Sequence, residues 1–554
     1  MCNLIDKIRN SVIGEDAAIT TAFGRKPLVY ADYTASGRSL SMIEDYIRDH
    51  VLPYYANTHT ETSYTGAQTT ALREQARQQI RSAVNANDDH SVIFCGSGAT
   101  SAIHKLIDIL NLKLPADLSA RYKFEQQIPA EERPVVFIGP YEHHSNELPW
   151  RESIADVVSI PLCEGGQVCL DDLEKQLIKY ADRPLKIGSF SAASNVTGVK
   201  TDVDTVARLL HKHGALSFWD YAAAGPYVGI DMAGEETEEG DSSKDAIFLS
   251  PHKFVGGPGT PGVLIVSDAI LKNRVPAMPG GGTVMYVTPE DHRYVADAER
   301  REEGGTPAIV ESVRAGLVFK LQQAVGTDEI ERREESFVSR AVAHWSKCEN
   351  IEILGNTEAP RLSITSLKIT HKGKDLHYSF IVALLNDLFG IQARGGCSCA
   401  GPYGHALLGM DMHYSKALEE QLVEGHMILR PGWIRLNFNY FIDEETFEYL
   451  VRAIELVAEH GWKLLPFYRF DPNGAVWRYQ NHKAELAASL DTLDFTAMPA
   501  PAPKSDRPSL AETMEAAEAE LLRTHGAEQR YNVVQPEKVE ELRWFVRPQD
   551  VAVA

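Results

Sequence analysis

At 554 residues the chain is too long for one ordinary hydrophobic core, so two or more domains are expected. A hydrophobic content of 44% with 24% charged residues is ordinary for a globular protein. The net charge of −22 argues against a duplex nucleic-acid binder, which needs a basic face to displace counterions. Seven cysteines in so long a chain do not make a disulfide scaffold. The opening "MCNLIDKIRNSVIGEDAAIT" scatters charges where a signal peptide is apolar, and no run is long enough to span a bilayer. These features point to a soluble, reduced, cytoplasmic enzyme or binding protein, with no membrane or nucleic-acid partner.

In chain order, short apolar runs recur as "PLVYAD", "SVIFCG", "PVVFIG", "LKIGSF", "ALSFWD" and "DAIFLS". Between several of them lie helical patterns, "GATSAIHKLIDIL" and "TDVDTVARLLHKHG", with apolar residues at three- and four-residue steps. The alternation predicts βαβ units and an α/β fold with a mostly parallel central sheet flanked by helices. Ligands gather at the carboxyl ends of such strands. After about residue 320 the texture changes to a smaller α+β domain, carried by "RLSITSLKIT", "DLHYSFIVALLNDLFG" and "WIRLNFNYF". The last of these alternates as a half-buried strand does. "DEETFEYLVRAIELVAEHGW" follows as an amphipathic helix with acids in its first turn. From about residue 466 the chain reads as an appended extension, with a Pro-rich linker "AMPAPAPKSDRPS" and a helix "SLAETMEAAEAELLRTHG" whose N-cap is a serine.

The distinctive residues fall at predicted strand ends. Asp220 ends "ALSFWD", and Lys253 follows "DAIFLS" 33 residues later in "LSPHKFVGGPGTPG". Such a pair serves as a salt bridge, or as the pair that pyridoxal phosphate requires: a lysine for its aldehyde and a carboxylate that keeps the ring nitrogen protonated. The glycines after Lys253 leave room for close backbone approach to a ligand. "FCGSGATSAIHKL" turns from a strand into a helix, a place where free N–H groups bind anions, with the Thr100 hydroxyl in the first turn. His143 and His144 follow another strand and suit a stacked ring or a plain loop; no nearby spacing completes a zinc pattern. Asn195 ends a further strand, where it bonds a ligand hydroxyl or shapes the turn.

The ordered set "VIFCGSGATSAI", "EHHSNELPW", "SNVTG", "WDYAAAG", "SPHK", "GGGT", "EEGGTP", "RGGCSCAG" and "IRLNFNYF" resembles the class V aminotransferase group of fold-type I pyridoxal-phosphate enzymes. Within that group it is most similar to the cysteine desulfurases and selenocysteine lyases, over roughly residues 25 to 465. The resemblance implies four segments: 1–60 contributing to the small domain, 61–320 as the large cofactor-binding domain, 321–465 as the small α+β domain, and 466–554 as an extension. It implies Lys253 as the Schiff-base lysine and Asp220 as partner of the ring nitrogen. His143 stacks on the ring and shuttles a proton, and Asn195 lies near the ring hydroxyl. Ala99, Thr100, Ser250 and His252 meet the cofactor phosphate. Thr283, in "GGGT", reaches a neighbour's phosphate, which implies a homodimer with shared active sites. The family's usual glutamine is replaced by Ala223, and "GEETEEGDSSKD" is an acidic insertion expected to be a solvated loop.

"RGGCSCAG" carries the choice of reaction. Cys397 and Cys399, with His405 six residues on, do not match a closed zinc site. Aligned with the desulfurase loop, Cys399 is the nucleophile, and the Cys-x-Cys form is similar to the desulfurase domains of molybdenum-cofactor sulfurases. Arg435 and Arg394 are then the substrate-binding arginines. The implied activity removes sulfur from L-cysteine, or selenium from selenocysteine, through a Cys399 persulfide, leaving alanine and passing sulfur to an acceptor protein. A competing reading keeps the cofactor but not Cys399, as in an aminotransferase, β-lyase or epimerase. A third is a non-catalytic scaffold of the same fold, which has no need of Lys253, Asp220 and Asn195 together.

Overall fold

The computed structural model describes residues 2–480, 482–484, 487–497, 507–524 and 530–551. Most of the expected Pro-rich linker, residues 498–506, lies outside the described residues. The chain divides into two compact units. The first holds Met1–Val12, Tyr33–Arg333 and Glu358–Leu362; the second holds Ile13–Asp32, Glu334–Thr357 and Ser363–Ala554. Of the first 60 residues, only 13–32 therefore lie with the second unit.

The first unit is built on seven strands: β1 His90–Cys95, β2 Val135–Ile138, β3 Asp156–Ser159, β4 Lys186–Ser191, β5 Leu216–Asp220, β6 Ala246–Leu249 and β7 Gly262–Ser267. Their order is β1-β7-β6-β5-β4-β2-β3. Strands β2 to β6 pair in parallel, and β7 runs antiparallel to both of its neighbours. β1, β2 and β6 are buried at every position, as continuous apolar runs covered on both faces must be. One core cluster gathers Ile93, Val136, Phe218, Phe248 and Leu264 with Ala102, Ile103 and Leu106 of helix α1 (Gly98–Ile109). Helix α2 (Val203–Lys212) starts where Asp202 accepts a hydrogen bond from the Thr205 N–H. The acidic insertion is a short hairpin, Glu236–Thr237 against Gly240–Asp241, and not a free loop: its buried Lys244 donates to Asp204 at 2.6 Å.

The edge of this sheet explains the "EEGGTP" motif. β1 pairs only with β7, so its outward N–H groups need other acceptors. Glu299 takes the Val92 N–H and Glu303 the Phe94 N–H, both at 2.7 Å. The carboxylates are held in turn by Arg73, Arg77 and Arg81.

The second unit has a five-stranded antiparallel sheet: β8 Ile351–Ile353, β9 Ile364–His371, β10 Lys374–Asp375, β11 Arg394–Gly396 and β12 Trp433–Asn437. The order is β8-β9-β12-β11, with β10 paired to β9. Helix α3 (Tyr378–Phe389) ends at Gly390 with φ 68°, and helix α4 (Glu444–His460) is capped by Asp443. "PLVYAD" supplies Val29–Tyr30, which pairs in parallel with Ile391–Gln392 and not with the large sheet. β12 is buried at all five positions, so its alternation marks two covered faces and not a wet one.

The C-terminal residues belong to this unit's core. Trp477, Ala517, Leu521, Phe545 and Val551 are buried in one cluster with Phe380, Leu384 and Ile454. Helix α5 (Leu510–Leu522) begins with the expected serine: Ser509 accepts from the Glu512 N–H, and Glu512 accepts from the Ser509 N–H. The extension is a structural part of the second unit.

Candidate active site

The carboxyl ends of β1, β4, β5 and β6 carry the expected residues. The register pairs Asp220 with Ser191 on β4 and with Phe248 on β6. Lys253 closes the turn Pro251–Lys253 that follows β6. Asp220 is buried, and burial pushes its carboxyl up, against the downward pull of the Ala222 N–H and the Lys253 ammonium. Next to Lys253, burial and the lysine charge push the His252 imidazole down to about 4, so it is neutral at pH 7.

Ser250 and His252 lie at the start of α1. The Ala99 N–H donates to Ser250 Oγ at 2.9 Å. Gly98 sits at φ +56°, and a Cβ there would lie 2.9 Å from Ser250 Oγ and 3.6 Å from His252 Nε2. Gly262 of β7 brings the strand so close that its Cβ would lie 2.0 Å from the Gly98 carbonyl oxygen. Gly262 thus makes room for the chain's own backbone, and Gly98 for the Ser250 and His252 side chains. Thr100 Oγ1 shares a 2.7 Å hydrogen bond with Ser145 Oγ, and Ser145 Oγ lies 3.0 Å from His143 Nδ1. The Ser145 N–H donates to the same Nδ1 at 3.1 Å, which leaves the ring proton on Nε2. Asn195 is buried in the turn beyond β4, whose Ser194 Oγ accepts the Val196 and Thr197 N–H groups. Thr283 is also buried, and its hydroxyl donates to Gly280 O at 2.7 Å within the glycine loop.

Glu142 was not singled out in the sequence, yet it ties this end of the sheet together. It accepts from the Gly139 and Ser191 N–H groups, the Ser191 hydroxyl and the Asn146 amide. Burial pushes its carboxyl up to about 7 despite the Ser191 and Asn146 hydrogen bonds, and the Asp220 charge adds to the rise.

In the second unit, β11 and β12 place Arg394 directly opposite Arg435. Both reach Asp32: Arg394 Nε to Oδ2 at 2.9 Å and Arg435 Nη2 to Oδ1 at 3.2 Å. Arg435 is 4% exposed, so it is not a surface strand arginine. Burial lowers its pKa, and Asp32 opposes that shift. Beyond β11 the chain turns through Ser398 and Cys399, at φ 54° and 55°. Cys399 is exposed and Cys397 partly buried. Among the described residues no group of three or more His, Cys, Asp or Glu side chains is arranged to hold a metal ion.

Residues 29–445 match the family described as Aminotransferase class-V, and the chain belongs to that family. It is 28% identical over 380 residues to a probable cysteine desulfurase of Halalkalibacterium halodurans, covering 68% of this chain and 85% of that protein. It is 26% identical over 379 residues to one from Streptomyces coelicolor, covering 68% and 84%. Among solved structures, the apo cysteine desulfurase of Thermococcus onnurineus NA1 superposes with a TM-score of 0.64 at 19% identity, covering 82% of this chain and 97% of that one. The S-sulfonic acid form of the cysteine desulfurase CsdA from Escherichia coli gives 0.63 at 20%, covering 82% and 98%. These neighbours fix the fold as that of the fold-type I enzymes.

The family's cofactor is pyridoxal phosphate, and the residues fit it. The start of α1 offers an anion its N-terminal N–H groups and the Ser250 and Thr100 hydroxyls, with the neutral His252 imidazole near Gly98 and a lysine whose charge acts on the buried Asp220. Ala223 is buried and offers no polar side chain.

Proposed function

We propose that the protein is a pyridoxal-phosphate-dependent cysteine desulfurase that moves sulfur from L-cysteine, or selenium from selenocysteine, onto Cys399 and releases alanine. The observation that carries this reading is an exposed cysteine set at the tip of a tight turn, in a chain that also couples Lys253 to a buried Asp220. The names of its relatives support it.

In this reading Ala99, Thr100, Ser250 and His252 would hold the cofactor phosphate and Lys253 its aldehyde carbon. Asp220 would keep the ring nitrogen protonated, and His143 and Asn195 would contact the ring. When bound, the cofactor supplies an electron sink for the substrate α-carbon. Arg435, held by Asp32, takes the substrate carboxylate in a two-pronged contact, and Arg394 orients it. The Lys253 amine, freed when the substrate's own amine takes its place, would remove the α-proton. The Cys399 thiolate attacks the substrate sulfur; the new S–S bond forms as the Cβ–S bond breaks. His143 Nε2 carries the proton that returns to carbon as the alanine methyl group forms. The enzyme works in the cytoplasm and hands its sulfur to an acceptor protein.

The same proposal makes the enzyme a homodimer, with Thr283's loop turned toward the second copy. The hairpin next to that loop leaves Met285, Tyr286 and Val287 at least 58% exposed, an apolar surface that a partner would cover. Cys399→Ala tests the activity: alanine formation from L-cysteine should stop, whereas an aminotransferase reaction would continue unchanged.

A further inference from the structure

The loop holds a second thiol that the reaction above does not use. β11 pairs with β12 so that Gly396 faces Trp433. The next residue, Cys397, is thereby brought beside the segment that leads into β12, and Arg430 Nη2 donates to its Sγ at 3.9 Å. The turn is closed by the Ala400 N–H on the Cys397 carbonyl at 3.2 Å. Its two central residues, Ser398 and Cys399, are both at positive φ, a conformation usually met by Asn-Gly. Cys397 is thus the first residue of the turn and Cys399 the third. Even a fully extended chain separates Cα atoms two residues apart by at most about 7 Å, and a closed turn brings them within the roughly 4.4–6.8 Å that a disulfide spans.

We propose that Cys397 is a resolving thiol for Cys399: its thiolate attacks the Cys399 Sγ of the persulfide, expels hydrosulfide and leaves a Cys397–Cys399 disulfide. This inference rests on the desulfurase reading for the source of the persulfide. The balance closes without an outside oxidant. The S–S bond of the persulfide breaks as the new S–S bond forms, and the terminal sulfur leaves with the electron pair as HS⁻. A disulfide within a three-residue turn is strained and exposed, so a dithiol reduces it readily and resets the loop. Arg430 orients Cys397 and offsets the charge on the attacking sulfur. Cys399, the more exposed of the two, stays the residue that meets the sulfur donor.

The test uses the full-length holoenzyme freed of reductant and given one equivalent of L-cysteine. Thiols are then alkylated, and the loop peptide is weighed while alanine and sulfide are measured. Wild type should give equal alanine and sulfide, with a loop peptide that has lost two hydrogens and resists alkylation. Cys397→Ser should give alanine without sulfide, with one extra sulfur atom retained on Cys399. Arg430→Gln should reach the wild-type products about tenfold more slowly, as expected when an attacking group loses its positioning contact. Wild type that keeps the extra sulfur as Cys397→Ser does would overturn the proposal. Absence of alanine would count against the desulfurase reading instead. A second arm decides the role of Cys397 in that event, because inorganic polysulfide loads Cys399 directly. Closure in wild type with retention in Cys397→Ser supports a resolving thiol, and retention in both refutes it.

Discussion

Glu303→Gln removes one charge from the buried cluster that seals the edge of the large sheet. Glu303 pairs with Arg73 at 2.6 Å and with Arg77 at 3.0 Å, and all three side chains are at most 6% exposed. Loss of one partner from a buried ion pair costs roughly 3–5 kcal/mol, because the remaining charge stays desolvated. Glu74 and Glu299 remain on Arg77 at 3.0 and 3.3 Å, which argues for the lower end, about 3 kcal/mol. At roughly 2–4 °C per kcal/mol for a unit of this size, the melting temperature should fall by ~6–12 °C. Burial alone would raise the Glu303 pKa, but Arg77 and Arg73 outweigh it, so the folded value lies below the ordinary 4.5. A depressed carboxyl pKa stabilises the fold above the unfolded value and loses that contribution as pH falls through the folded one. The gap between wild type and variant should therefore be full at pH 7 and shrink as the pH drops below about 4.5. Thermal unfolding followed by circular dichroism across that range measures both effects. Equal melting temperatures at pH 7, or a gap independent of pH, would refute the assignment.

Asp220→Asn should weaken pyridoxal-phosphate binding by about 10–100-fold, the worth of roughly 1.5–3 kcal/mol for a hydrogen bond to a charged group; titration of the apoprotein by absorbance measures it. Arg435→Lys should raise the KM for L-cysteine by about tenfold, because an ammonium cannot hold both Asp32 and a substrate carboxylate as a guanidinium fork does; steady-state kinetics with kcat and KM separated will show it. Phe545→Ala should destabilise the second unit by about 3–5 kcal/mol, since the ring is fully buried against His377 and Trp544; urea unfolding checks this.

Five of the seven strands of the large sheet, β1, β2, β4, β5 and β6, were legible because they are almost wholly buried and read as apolar runs separated by helical periods; the edge strand β3 is only partly buried. Lys253 and Asp220 were legible for a different reason: few chemistries call for those residue types just beyond strand ends. Asp32 was not, since its role comes from Arg435, 403 residues away, and from Arg394, 362 away. Glu142 sat beside the quoted histidines, but two of its four hydrogen bonds come from Ser191 and depend on where β4 passes. Of the C-terminal residues only the helix that carries Ala517 and Leu521 showed in the sequence; Trp477 enters the core from a four-residue strand, and Phe545 and Val551 enter it singly from outside the helices and strands. β12 misled for the opposite reason. Its polar positions, Arg435 and Asn437, alternate as solvent-facing residues do but are buried.

The central claim is that Cys399 takes sulfur from cysteine. The most direct measurement is one addition of L-cysteine to the purified holoprotein in the presence of a dithiol, with alanine and sulfide quantified together in wild type and in Cys399→Ala. The account predicts equal amounts of both from wild type and neither from the variant. Sulfide and alanine that persist without Cys399, or cofactor spectral changes with no sulfide in wild type, would contradict it.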